Sequence, residues 1–346
     1  MSLPPSGEIP QGAIRFNTDS QKLEFYAQGE WWVMSTDTPN LGRSIDSTPG
    51  ARGLFGGGGA PAPVGELKNI DYINIASTGN GQDFGDLQQT RQALSSLGSS
   101  TRGFWVGGRD APSNFDIVEF VTFGSLGNFT DFDNLSSAKQ GPFGLSNSTR
   151  GIAGGGSFGN TVDYFTMAST GTVATFGTLT PSNLGTYQSA CMTPTRGVYH
   201  QGLKPNPYAG STFLGNITIA TTGNSTQFGD LSQERANIAC LSNSTRGIFA
   251  GGYQAPAPNY TKSMEYVELS SEGNAVFFGD LSVVKNNLNG NCTSPTRGVM
   301  AGGSTPGVTN VIEYVDIQTL GDAVDFGDLI TAKYYASGIS NAHGGL

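Results

Sequence analysis

The chain is short of charge. Asp, Glu, Lys and Arg make up only 13% of its 346 residues, and the 27 acids outnumber the 18 bases, for a net charge of −9. No run of basic residues offsets this balance, so a phosphate backbone is repelled and nucleic acid is excluded as a partner. Histidine is scarcer still, with only His200 and His343. No Ser-His-Asp set and no His-rich metal site can be assembled from two such residues. The three cysteines, Cys191, Cys240 and Cys292, are an odd number, which argues against a closed disulfide framework. They precede three recurring arginines by five or six residues, which predicts equivalent buried strand positions rather than a three-Cys metal site. No apolar stretch approaches the roughly 18 residues a membrane span needs. The opening residues, MSLPPSGEIPQG, lack the basic and apolar regions of a secretory leader. The expectation is a protein with no cofactor, no metal, no catalytic set and no membrane insertion.

Glycine, by contrast, is abundant, with 51 copies. So much glycine with so little charge would fit a low-complexity chain. The 36% hydrophobic and 10% aromatic content argues otherwise, and the glycines recur at fixed places. An Arg-Gly pair begins at Arg52, Arg102, Arg150, Arg196, Arg246 and Arg297, at intervals of 50, 48, 46, 50 and 51. A final stub, Ser340 to Leu346, copies Ser146 to Ile152 and places Gly344 where a seventh Arg would stand.

Each period has four parts. Arg-Gly and a short apolar run lead to a Gly pair such as Gly57-Gly58 or Gly251-Gly252; the fourth copy has Gln201-Gly202. An acid-led alternating strand follows, beginning at Asp71, Glu119, Asp163, Glu265 and Glu313, with Gly215 in the fourth copy. Next comes a turn running into Asp-Phe-Gly-Asp-Leu or a relative, and then about 15 residues lead to the next Arg. Alternation, β-branched and aromatic residues, and Gly/Asn/Ser turns all indicate strands. Only short stretches such as Gln88 to Leu97 show a helical period. Four short strands per period of about 49 residues predict propeller blades, whose two faces are buried only between neighbours.

The repeated polar residues read as scaffold. The arginines at 52, 102, 150, 196, 246 and 297 are expected to tie blades together through the strand acids, the acids of Asp-Phe-Gly-Asp, or backbone carbonyls. The recurrent Phe84, Phe132, Phe176, Phe228, Phe278 and Phe326 read as core, and the Gly and Asp that follow most of them as turn residues. The Gly pairs are expected to allow tight strand packing near the axis. Asp-Phe-Gly invites a kinase reading that fails for want of a phosphate loop, a strand Lys and a catalytic loop. A glycosidase acid pair would draw on acids most of which are repeat residues, whereas catalysis usually breaks symmetry.

Function is therefore sought where the copies differ. The loop after each Gly pair varies most and is rich in Pro and aromatics. Phe115, His200, Lys204, Tyr208, Tyr253 and Tyr260 are the candidate binding residues of this variable rim. The fourth copy departs three times, at Gln201, at Gly215, and in carrying His200 near Tyr208.

Residues 1–46 lie outside the repeat and read as a β-meander, with strands over Ala13 to Asn17, Lys22 to Ala27 and Trp31 to Ser35. So small a sheet, bearing Phe16, Phe25, Trp31 and Trp32, needs another surface. The predicted fold is all-β: a small N-terminal meander (1–46) followed by a six-bladed propeller (47–346).

The Gly pair, the acid–aromatic strand and the apolar anchor resemble kelch repeats, with Phe of Asp-Phe-Gly-Asp-Leu standing roughly where kelch carries Trp. The segments Gly12-Ala-Ile-Arg-Phe-Asn-Thr-Asp, Lys22-Leu-Glu-Phe-Tyr and Gly29-Glu-Trp-Trp resemble a short module of bacteriophage tail and fibre proteins. The Ser-Thr-Arg-Gly … Gly-Gly … Asp-Phe-Gly-Asp-Leu repeat is similar to that of structural proteins of marine and cyanobacterial phages. These resemblances imply a virion protein of the phage tail or tail fibre without enzyme activity. Its implied partners are other virion proteins, further copies of itself, and host-surface glycans. The alternatives are a secreted lectin-like carbohydrate-binding propeller and a propeller glycosidase or lyase.

Overall fold

The computed structural model describes residues 9–17, 22–33, 52–169, 172–181, 185–205, 208–254 and 259–346. They fall in two units, Met1–Thr48 and Pro49–Leu346. The first contains one antiparallel sheet of three strands, Ile14–Asn17, Lys22–Ala27 and Glu30–Val33. The turn between the last two is Gln28-Gly29, both left-handed (φ 54° and 82°), the backbone a two-residue hairpin needs to match strand twist. The turn expected at Thr18 to Ser20 and the end expected at Ser35 lie outside the described residues. The register Ile14↔Phe25 and Phe25↔Trp32 sets one face of the sheet. Strand alternation adds Phe16 to it, and all four side chains are exposed. On the other face Arg15 bonds Glu24 at 2.8 Å and lies 4.1 Å from the centroid of the Trp31 ring.

The second unit is all-β and antiparallel, with no helix among the described residues. Gln88 to Leu97 runs into a strand instead. Six sheets of four strands follow one another. Sheet two is Ser95–Gly98, Arg102–Val106, Ile117–Thr122 and Thr130–Asn134. Sheet three is Phe143–Ser146, Arg150–Gly154, Thr161–Thr166 and Ala174–Thr178. Sheet four is Ser189–Met192, Arg196–His200, Ser211–Thr218 and Thr226–Arg235. Sheet five is Ala239–Ser242, Arg246–Ala250, Ser263–Glu268 and Val276–Asp280. Sheet six is Gly290–Thr293, Arg297–Ala301, Val311–Asp316 and Val324–Asp328. Sheet one joins distant parts of the chain: Ser337–Ser340 is the first strand beside Arg52–Gly56, Asn69–Asn74 and Gln82–Asp86.

The apolar residues collect in six clusters, each shared by two successive sheets. One joins Leu97, Phe104 and Phe132 of sheet two to Phe165 and Met167 at the third strand of sheet three. Another joins sheet six to sheet one through Val299, Ile312 and Phe326 against Phe55, Ile73 and Ile75. The first strands are also neighbours in order: Ser95–Gly98 lies against Phe143–Ser146, and so on to Gly290–Thr293 against Ser337–Ser340, which lies against Ser95–Gly98.

Several expectations need correction. Cys191 and Cys292 share a register, opposite Val198 and Val299, but Cys240 lies one residue earlier, opposite Phe249. That one-residue slip reverses the face of the strand, so the three are not equivalent. All three are buried free thiols, and burial pushes those of Cys191 and Cys292 well up. The recurrent Phe is buried as expected, but the Gly-Asp after it belongs mostly to the fourth strand rather than to a turn. A Cβ at Gly229 would collide with the carbonyl of Gly273 in the next sheet. The Gly273 N–H bonds Phe228 O at 3.0 Å, and Asn274 Oδ1 accepts the Asp230 N–H at 3.0 Å. Sheet one clips onto sheet six in the same way, through Gly79 to Phe326 and Asn80 to Asp328. The Gly pairs are required by backbone conformation: Gly57 and Gly58 have φ 65° and 103°, a reversal that L side chains resist. Where copy four carries Gln201, only Gly202 keeps a positive φ (80°).

Candidate functional site

Between the second and third strands of every sheet but the third, the chain makes a small two-stranded hairpin. These hairpins carry the variable loops, and each lies beside the linker that enters its own sheet, as Arg109 beside Gln92 and Tyr253 beside Ala236. Tyr253 and Tyr260 face each other across one hairpin, half-buried, with ring centroids 6.5 Å apart. Lys204 pairs with Glu234 at 3.2 Å, and Phe115 is half-buried. The Tyr208 side chain lies outside the described residues.

His200 does not belong to this rim. It is fully buried at the end of a second strand, with Nε2 2.9 Å from Ser211 O and Nδ1 accepting the Gly202 N–H at 3.2 Å. Those partners set the neutral Nε2–H tautomer, and burial lowers the pKa to about 4. Being wholly inside, it cannot touch a partner.

The linkers carry a feature that the sequence reading missed. Each strand acid is held by a buried cation from the segment leading into the same sheet, Arg235 being the last residue of the preceding strand Thr226–Arg235. The pairs are Arg91–Glu119, Lys139–Asp163 at 3.7 Å, Arg235–Glu265, Lys285–Glu313 at 2.5 Å and Lys333–Asp71 at 3.2 Å. The acid also accepts a linker N–H in most cases, as Glu119 from Gln88 and Glu313 from Ser282. Burial raises Asp71 and lowers Arg91, Lys139, Arg235 and Lys333, while the opposite charge of each partner works against that shift. In sheet four both members are missing together: Gly185 stands at the cation position and Gly215 at the acid position. Tyr199 takes the space against Gly215, its hydroxyl donating to Thr180 O at 2.8 Å beside Ser225 Oγ.

The repeat arginines therefore find other partners than the strand acids. Each donates to backbone carbonyls at the end of the third strand of the next sheet: Arg52 to Phe123, Arg102 to Met167 and Arg150 to Ile219. Arg196 donates to Leu269, Arg246 to Ile317, and Arg297 to Ile75 of sheet one. Each guanidinium also lies over an aromatic ring of its own sheet, 4.4 to 5.8 Å from the centroid. Near these turns, His343 is buried with Nε2 2.8 Å from Gly98 O, and burial lowers its pKa to about 4.

Two residues beyond each cation position the linkers make a further turn. Ala93, Gly141, Tyr187, Asn237, Asn287 and Tyr335 all have φ between 51° and 62°. These residues meet. Ala93 N bonds Tyr335 O, Gly141 N bonds Ala93 O, and Tyr335 N bonds Asn287 O. The Tyr187 and Tyr335 rings stack at 4.4 Å with 14° between planes, and Tyr334 meets Tyr335 edge-on at 5.5 Å. Asn237 Nδ2 donates to Asn287 Oδ1 at 3.0 Å and to the Tyr335 hydroxyl at 3.1 Å. Burial and the neighbouring Tyr187 phenol push the Tyr335 phenol well up, while the nearby Arg109 charge pulls it down. The Arg109 side chain makes no hydrogen bond or ion pair with the described residues. The sequence carries a signal for this cluster: the two positions after the linker cation differ widely among copies, from Gln92-Ala93 to Asn286-Asn287 and Tyr334-Tyr335.

Among the described residues no group of three or more His, Cys, Asp or Glu could hold a metal ion. The chemistry on offer at the hairpin face is hydrogen bonding by amides and phenols, with one unpaired guanidinium. No protein-family model matches the chain, and no curated protein matches it.

Proposed function

We propose that Pro49–Leu346 is a six-bladed kelch-like propeller and that the chain is a non-enzymatic virion protein of a phage tail or tail fibre. Six apolar clusters, each between successive sheets and one between sheets six and one, support the propeller. The arginine bonds, each directed to the next sheet and the last to the first, support it equally. In this reading the strand acids serve the scaffold, because five of five are neutralised by buried cations. The observation that carries the virion role is the exposed face of Ile14, Phe16, Phe25 and Trp32. Four large apolar side chains on one face of a three-stranded sheet form an attachment surface, for another virion protein or for a second copy. The hairpin face of the propeller is then the surface offered to the host. Mass spectrometry of purified phage particles tests the proposal: the chain is expected among the particle proteins, and its absence overturns the virion role.

A further inference from the structure

The segment Asn341–Leu346 follows the strand Ser337–Ser340 and crosses the ends of the other first strands. The Asn341 N–H donates to Arg52 O at 3.4 Å, and Asn341 Oδ1 accepts the Arg52 N–H at 3.3 Å. His343 is 3% exposed, with Nε2 2.8 Å from Gly98 O and 3.5 Å from Ser146 Oγ. The Gly345 N–H donates to His343 Nδ1 at 3.2 Å, and the Leu346 N–H to His343 O at 3.0 Å. A Cβ at Gly344 would collide with Met192 O and Asn243 O, and one at Gly345 with Ser146 O. Gly98, Ser146 and Met192 end the first strands of sheets two, three and four, and Asn243 follows that of sheet five. One short segment therefore meets sheets one to five.

Little apolar packing holds it there. Its one large apolar side chain, Leu346, is half-buried, and beside it lies a cavity of about 290 Å³ lined by Ser100, Ser244, Pro295 and the segment's own Ala342, His343 and Leu346. A segment with few bonds and little buried apolar surface opens at low cost. The His343 ring is its seat. The partners give the ring fixed roles, Nε2–H donating to Gly98 O and Nδ1 accepting from Gly345. A second proton would sit on Nδ1 and face the Gly345 N–H, donor against donor, so the ring cannot take a charge in place. Among the described residues no carboxylate or cation bonds it. The groups facing the ring and its segment are Gly98, Ser146, Met192 and Asn243, and Arg52 of sheet one sends its guanidinium away to Phe123 O. With no opposite charge to help, burial lowers the His343 pKa to about 4.

We propose that Asn341–Leu346 is an acid-released plug, seated over the ends of the first strands while His343 is neutral and leaving that seat when the ring takes a proton. In the propeller reading, on which the word plug rests, this place is one end of the axis. The released ring titrates near its ordinary 6.5 and the seated ring near 4. The seat is therefore favoured fully above about pH 6.5 and loses that favour as pH falls to about 4. The opening equilibrium should rise about thirtyfold between pH 7.5 and pH 5.

Hydrogen exchange of the Gly345 amide, followed by NMR on the full chain and corrected for its intrinsic pH dependence, reads that equilibrium. Protection is expected to fall about thirtyfold from pH 7.5 to pH 5. His343→Gln should abolish the fall, and His200→Ala should leave it intact. Protection that does not change with pH, or that falls equally in His343→Gln, overturns the plug. A fall that shrinks in His200→Ala means that the whole unit unfolds together, and overturns local release. Gly345→Ala, which drives a methyl into Ser146 O, gives an independent reading even if His343→Gln fails to fold. It should raise the His343 pKa, followed by NMR titration of the ring, from about 4 toward 6.5; a value still near 4 overturns the seating. None of these failures touches the propeller reading, which stands or falls on the closure of the sheets.

Discussion

Sheet four and its five companions solve one packing problem in two ways. Five sheets bury an acid and a cation together, whereas sheet four has Gly185 and Gly215 in their places and fills the gap with Tyr199. The two charges are absent together. This fits the energetics of buried ion pairs, where removing one partner is costly and replacing both is not. Sheet four also replaces small side chains with a buried imidazole, since His200 stands where sheets five and six carry Ala250 and Ala301.

The sharpest way to break the comparison is to remove half a pair. Glu265→Ala leaves the Arg235 guanidinium buried without its carboxylate and is expected to cost about 3–5 kcal/mol in denaturant unfolding. Copying the sheet-four solution into sheet three, with Lys139→Gly, Asp163→Gly and Ala153→Tyr together, should cost less than Asp163→Gly alone. A larger cost for the triple variant would contradict the view that the pair is one replaceable unit.

The buried histidine of sheet four gives the next effect. Its folded pKa of about 4 lies below the ordinary 6.5. Between those values the unfolded chain binds a proton that the folded chain refuses. Its contribution is therefore fully present above about pH 6.5 and is lost as pH falls to about 4, roughly 3 kcal/mol in all. His200→Ala should lose that much less stability between pH 7 and 4 than the unaltered chain; parallel losses would contradict the assignment. His343 contributes equally to both and cancels.

Smaller effects come from ties that all sheets share. Arg246→Ala removes bonds to Ile317 O and Gln318 O and the contact with the Tyr266 ring, an expected loss of about 1–3 kcal/mol. Unchanged thermal stability would make the repeat arginine a solvated residue. Tyr199→Phe removes only the hydroxyl bonded to Thr180 and should cost about 1 kcal/mol in sheet four.

Much of this architecture is legible in the sequence because it recurs. The period, the strands, the buried Phe and the polar outlier in copy four all follow from spacing and alternation. The linker cations escaped notice for a physical reason. Arg91, Lys139, Arg235, Lys285 and Lys333 alternate between two residue types inside polar segments, where a lone charge reads as solvated. The strand acids are one of the partners that spacing offers the Arg-Gly arginines; the structure gives those arginines the other, backbone carbonyls one sheet away. His200 reads as a rim residue because its neighbours in sequence are rim residues, while its ring points inward. The Tyr187–Tyr335 pair lies 148 residues apart and no local pattern joins it.

The proposed propeller requires the sheets to close into a ring through the strand Ser337–Ser340, and a disulfide between that strand and Ser95–Gly98 reports on the closure. Ser96 Oγ and Ser337 Oγ lie 2.7 Å apart, although 241 residues separate them. The double variant Ser96→Cys/Ser337→Cys should form an intramolecular bond under mild oxidation, within the reach of disulfide geometry. Closure predicts a monomer cross-linked between these two positions on peptide mapping. Two free thiols, or bonds only between chains, would contradict it.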